Sequence, residues 1–128
     1  MPPITRLLEK ALAARLPLLD EKHQSALRLF NGFTEGQPDL VVDLYARSLV
    51  FHNYAEIPIQ GIANIREAQA FYLERLPWVQ AIVLKTRHGT TPQEKRGLPL
   101  HGETLDRKIR ENGVWYALDL TMNRDASL

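Results

Sequence analysis

The 128-residue chain is 45% hydrophobic and 24% charged with a net charge of +1, the make-up of one ordinary globular domain able to bury roughly two-thirds of its unfolded surface. It has no cysteine, which excludes disulfides, zinc–thiolate sites and cysteine nucleophiles and suits a reducing cytoplasm. No apolar run reaches the length of a membrane span, and the near-neutral charge excludes a general polycation.

Ile4, Leu7, Leu8, Ala11, Leu12 and Arg15 recur at helical spacing and predict an amphipathic helix over 3–16, stopped by Pro17, in place of a signal peptide. "LLDEKHQ" is a polar connection. "ALRLF" predicts a strand from Ala26 to Phe30. "GFTEGQPD" then forms a strand-to-strand connection, in which Gly32 and Gly36 can take positive φ and Pro38 sets the approach to the next strand. Leu40 to Tyr54 reads as a hairpin around Ala46-Arg47, with Leu44 facing Leu49 and Val42 facing Phe51. Leu40, Val42, Leu44, Leu49 and Phe51 share one face. Val41, Asp43, Tyr45, Val50 and His52 share the other, and that mixture predicts a sheet buried mainly on one side. Ala-Arg is poor chemistry for a tight primed turn.

Ile62, Ile65, Gln69, Tyr72, Leu73 and Leu76 mark a second helix over 61–76, stopped by Pro77. "VQAIVLKT" follows as an inner strand, and the strand–helix–strand crossover implies a parallel pairing. Residues 88–104, with three glycines and two prolines, predict a long mobile loop. "RKIRENGVWYALDL" is a hairpin on the type I′ pair Asn112-Gly113, which sets Ile109 opposite Tyr116 and Arg110 opposite Trp115. Ile109, Val114, Tyr116, Leu118 and Leu120 then share a face, and Arg110 can lie over Trp115 as a cation–π pair. The expected fold is α+β: a mixed β-sheet built from two hairpins and the crossover, packed against two helices.

Enzyme motifs are missing from the sequence. No pair of the seven glycines forms G-x-G, and no P-loop exists. His23, His52, His88 and His101 have no histidine partner at helical metal spacing. His52 reads as a packed, hydrogen-bonded strand histidine, and His88 and His101 as solvated residues flanking the loop. Ser25 and Ser48 lie in no nucleophile-elbow context. Asp43 and Asp119 read as carboxylates that pair with a basic residue or cap a loop, and Glu35 as a residue serving its turn. Charge is uneven: Lys85, Arg87, Lys95, Arg96, Arg107, Lys108 and Arg110 stand against only Glu94, Glu103 and Asp106. Gathered on one face, they would make a polyanion footprint.

The run "LRLFNGFTEGQPDLVVDLYARSLVFH" resembles the central domain of bacterial S-adenosylmethionine-dependent methyltransferases that modify cytosine in large-subunit ribosomal RNA, the PUA-containing type. Arg28, Leu29, Gly32, Glu35, Gly36, Pro38, Leu40, Val42 and Asp43 carry the match. Glu35 stands where aspartate is commoner, and Ala46 where the family's hairpin often has glycine. "IRENGVWYALDLTMNRDASL" resembles the family's hairpin leading into the catalytic domain. The segment before Ala26 leaves no room for a PUA domain.

The resemblance implies a division into 1–25, a helix and connection, and 26–128, an auxiliary domain preceding a methyltransferase domain. It implies that the glycine-rich cofactor loop would lie beyond Leu128. It implies a parent that uses S-adenosylmethionine on RNA, with no cofactor and no metal in this chain and no membrane partner. The seven basic residues are then the candidate phosphate contacts, with Arg28 an alternative that can equally pair with Asp43. A protein-interaction or scaffold module is the competing expectation. A small stand-alone enzyme ranks third, since no convergent acid–base pair is visible.

Overall fold

Four apolar positions, Ile4, Leu8, Ala11 and Leu12, make the buried stripe of the first helix, α1 (Ile4–Arg15), and the chain leaves it through a 3₁₀ turn at Leu16–Leu18 that contains Pro17. The structure, a computed structural model, describes residues 3–121; the last seven residues of the second resemblance segment, 122–128, lie outside the described residues. The succeeding elements are β1 (Ala26–Asn31), the single turn α2 (Gly32–Glu35), β2 (Leu40–Tyr45), β3 (Ser48–Asn53), α3 (Ile62–Arg75), β4 (Ala81–Thr86), the short α4 (Pro92–Arg96), β5 (Leu98–His101), β6 (Lys108–Glu111) and β7 (Val114–Ala117). The fold is α+β. Five strands form a mixed sheet in the order β1-β2-β3-β4-β5, parallel only between β3 and β4, and β6 and β7 form a separate ribbon.

The β2–β3 register is the expected one, with Val42 opposite Phe51 and Leu44 opposite Leu49. Ala46 takes a φ of +55°, which an alanine adopts only at a cost. Neighbours hold the turn in that shape: the Ala46 N–H donates to Ser25 O, and the Arg47 N–H to Asp106. The first face of the sheet packs against α1 and α3, burying Leu8, Phe30, Leu49, Phe51, Tyr72 and Ile82. Full burial of such side chains is worth about 1.5–3 kcal/mol each. A bulge in β1 after Arg28 lets the successive residues Leu29 and Phe30 both enter this core.

Three expectations need correction. The sheet is not buried mainly on one side. Val41, Tyr45 and Val50 are as buried as the first face, because Ile109 and Leu120, supported by Leu105 and Leu118, close over Tyr45 and Val50. Residues 88–104 are not one loop. They hold α4, whose capping box joins Thr91 and Glu94, and the edge strand β5. The connection between β1 and β2 contains the helical turn "GFTE", closed by Gly36 at the positive φ expected of it, +102°. Finally, of the face predicted for the last hairpin, Ile109 and Leu120 are buried while Val114 and Tyr116 are exposed. The ribbon meets the sheet at one end instead of lying flat on it.

Candidate nucleic-acid interface

Across the second face of the sheet runs a polar row. Arg28 sits opposite Asp43 in the β1–β2 register and donates from Nε to Oδ1 at 2.7 Å and from Nη2 to Oδ2 at 3.1 Å. His52 Nε2 lies 3.1 Å from the same Oδ2. Burial pushes the Asp43 carboxyl up, but its hydrogen bonds with His52 and Arg28 outweigh that and hold it below the usual carboxylate range. The Arg28 guanidinium is raised chiefly by its hydrogen bond to Asp43. All three groups therefore satisfy one another inside the sheet, as Asp43 and His52 were expected to do. Asp119 caps a loop, accepting from the Thr121 N–H and hydroxyl.

Glu35 serves its turn, as expected. It accepts from the Asn31 N–H and grips the Arg15 guanidinium with both oxygens. Arg15 in turn donates to Arg28 O. Burial raises the Glu35 carboxyl, and the Arg15 and Asn31 donors bring it below the usual value. One ion pair thus ties α1, β1 and the α2 turn together.

The structure divides the seven basic candidates. Lys85 is buried within β4, opposite His52. Arg87 is exposed just past the end of β4, its guanidinium 6.0 Å from the Tyr54 ring. Lys95 and Arg96 are exposed in the last turn of α4. Arg107, Lys108 and Arg110 are exposed on and beside β6. There the register sets Arg110 opposite Trp115, and both cations approach that ring, Lys108 Nζ at 4.5 Å and Arg110 at 5.6 Å from its centroid. The expected Arg110–Trp115 pair is present, with Lys108 as a second partner.

The ribbon packs at the Tyr45–Ser48 end of the sheet, whereas Arg87 stands at the Asn53–Thr86 end. A six-residue strand separates the two ends by about 17–20 Å. An exposed aromatic flanked by two cations is the arrangement that stacks on an unpaired base while neutralising phosphate. Sequence reasoning missed Phe33 and Tyr54, whose rings lie 5.6 Å apart near Arg87. The available signal was a large aromatic side chain inside the polar turn "NGFTEG".

No protein-family model matches the chain, and no curated protein matches it significantly. Solved structures share its fold. A candidate SAM-dependent methyltransferase from Streptococcus mutans superposes with a TM-score of 0.70 at 22% identity, covering 93% of this chain and 31% of that one. SMU.776, a candidate methyltransferase complexed with SAH, gives 0.68 at 22% identity, covering 88% of this chain and 28% of its own. The chain therefore spans about a third of the length of the structures it resembles, and what it shares with them is a fold.

Proposed function

We propose that this chain is the auxiliary, substrate-side domain of a class I S-adenosylmethionine-dependent methyltransferase that modifies ribosomal RNA in the cytoplasm. It contributes RNA contacts to an interdomain cleft, and the methyl donor binds on a neighbouring catalytic domain. The observation that carries this reading is the Lys108–Trp115–Arg110 cluster on a domain whose fold recurs inside methyltransferase chains about three times its length. The cations supply sequence-independent phosphate affinity, and the indole supplies a stacking face. Arg107 precedes the cluster in sequence, Lys95 and Arg96 are exposed on α4, and Arg87 stands at the other end of the sheet as a separate candidate contact. Lys85, buried, acts only within the sheet.

RNA binding by the 128-residue chain across a salt series tests this. Affinity is expected to fall steeply with salt. Lys108→Ala and Arg110→Ala should each reduce the log–log slope by roughly 0.7–0.9, and Trp115→Ala should cost about tenfold in affinity. Absence of binding at low salt would reduce the domain to a spacer, and micromolar binding of S-adenosylmethionine by the bare chain would overturn the division of labour.

A second reading, a protein-interaction module, is favoured by the exposure of Val114, Trp115 and Tyr116 together on β7. Self-association that tracks Val114 and Tyr116 in light scattering, without RNA binding, would select it.

A further inference from the structure

A sheet edge presents backbone N–H and C=O groups that can accept a further strand, and natural proteins guard such edges. Both edges of the five-stranded sheet are guarded. Along the outer edge of β1, Arg15 Nε donates to Arg28 O and the Ala26 N–H donates to Glu111. Gln24 O, just ahead of that strand, accepts from the Arg110 N–H. At the opposite edge β5 carries Pro99 and a shift in register against β4, and Leu100 O accepts from Gln69 Nε2.

The ribbon leaves a third edge. Opposed residues of an antiparallel pair alternate between hydrogen-bonded and non-hydrogen-bonded pairs. The Arg110 N–H donates to Gln24 O, outside the ribbon, so Arg110 and Trp115 form a non-hydrogen-bonded pair. The Leu118 N–H donates to Arg107 O, which fixes the same alternation from the other end, and Lys108 and Ala117 are the next such pair. The N–H and C=O groups of Trp115 and Ala117 therefore point away from β6, along the outer edge of β7. Among the described residues no strand pairs with that edge. β7 is exposed at all four positions, and "VWYA" has none of the usual guards: no charge, no proline and no break in register.

The side chains beside the edge define the strand that fits it. On one face Trp115 carries both Lys108 and Arg110 over its ring, and Arg107 adds a third exposed cation just ahead of β6. The ribbon's acid, Glu111, is engaged with the Ala26 N–H. On the other face Val114 and Tyr116, each 51% exposed, offer apolar surface. A strand laid along β7 alternates its side chains between these two faces. Acidic side chains meet the cations across the indole, and apolar ones pack on Val114 and Tyr116. A second copy of this chain would bring the same cations to the same face, and like charge opposes that pairing.

We propose that β7 is an acceptor strand for an extended segment of a protein partner, acidic at alternate residues and apolar between them. The segment adds antiparallel, the more stable pairing, and its acidic residues exchange backbone hydrogen bonds with Trp115 and Ala117. Main-chain bonds supply affinity, and the two faces of the ribbon select the side chains. The inference gives the protein-interaction reading a site and a partner chemistry. Its bonds run along an edge that the RNA-binding reading does not use, so the two are tested separately.

The probe is the end-capped peptide Glu-Val-Glu-Val-Glu, titrated into the 128-residue chain by NMR and fluorescence anisotropy. It should slow hydrogen exchange most at the Trp115 and Ala117 amides. N-methylation of its glutamates removes the donors that face β7 and should weaken binding about tenfold, whereas N-methylation of its valines, whose donors face water, should be tolerated. Lys-Val-Lys-Val-Lys should bind about tenfold more weakly than the acidic peptide. Ala117→Pro removes one outward donor and no bond within the ribbon, so it should weaken the acidic peptide and leave RNA binding unchanged. An unchanged melting temperature excludes a folding defect in that variant; if it melts lower, the N-methyl comparison on the parent chain decides alone. The proposal falls if the acidic peptide does not bind, binds equally well with N-methylated glutamates, or binds no better than the lysine peptide. Self-association of the chain that Ala117→Pro abolishes would assign the edge to a second copy and overturn it too. Absence of RNA binding with the peptide results as expected would sink the RNA reading and leave the acceptor strand in place.

Discussion

Asp43 has no exposed surface and three donors around its two oxygens, so its charge is sustained entirely by Arg28 and His52. Removing Arg28 leaves a buried carboxylate with His52 alone. Because Arg28 is itself one-third exposed, Arg28→Ala is expected to cost about 2–3 kcal/mol, at the lower end of broken buried pairs. The pH dependence follows from the direction of the shift. A carboxyl whose folded pKa lies below its unfolded value near ~4 adds stability that is complete above that value and disappears as pH falls through the folded one. Urea unfolding should therefore show the parent chain losing stability from about pH 5 downward. Asp43→Asn should be less stable at pH 7 but shallower in acid. Some slope will persist, because Glu35 is lowered by its own partners and contributes with the same sign. Equal slopes in the two proteins would mean that the Arg28–Asp43–His52 row is not a source of acid lability.

At the scale of elements, the connections depend on glycines for different reasons. A Cβ on Gly32 would run into the backbone carbonyls of Gln37 and Leu40, which cannot yield without opening the β1–β2 connection. Gly113, at φ +80°, has open space around it and sits in the turn its sequence favours. Gly113→Ala should cost about 1–2 kcal/mol through backbone strain alone, and Gly32→Ala clearly more, as read from thermal and urea melts. A reversal of that order would sink the close-approach argument.

The same elements explain what the sequence revealed. Alternation in "LVVDLYARSLVFH" set the β2–β3 register, and Asn112-Gly113 set the β6–β7 register, so the Arg110–Trp115 pair was legible. Burial of the second face was not, because its cover, Ile109 and Leu120, arrives from distant sequence. The Thr91-Pro92-Gln93-Glu94 capping box was present in the text but stood among glycines and prolines that suggest a loop. β5 contains Pro99, which a strand tolerates at a sheet edge. Lys85 looked like surface charge by composition, yet it lies in a strand buried along its whole length. Phe33 looked like turn filler because nothing local declares which way a turn points its side chain.

For the molecule as a whole, the division into a five-stranded sheet and a separate ribbon implies two levels of stability. An isolated two-stranded hairpin is marginal in water. The β6–β7 ribbon is held mainly by Ile109 packed against Tyr45 and Val50, by the Arg110 N–H donating to Gln24 O at 2.7 Å, and by Glu111 accepting from the Ala26 N–H at 3.0 Å. The central strands β2, β3 and β4 are buried at every position and should open only with the whole domain. Hydrogen exchange should therefore show the ribbon amides opening at lower free energy than those of β2–β4. Ile109→Ala removes the ribbon's main anchor, at about 2–5 kcal/mol. It should speed exchange in β6 and β7 while the β2–β4 amides keep their protection, and, if the proposed RNA contact is made by the Lys108–Trp115–Arg110 cluster, it should weaken RNA binding as well. If protection falls by the same amount in both, the ribbon belongs to the global folding unit, and the weakened binding would then report unfolding instead of undocking. The comparison with Trp115→Ala separates these outcomes, since that substitution removes the stacking face from a side chain 43% exposed and should leave exchange everywhere unchanged.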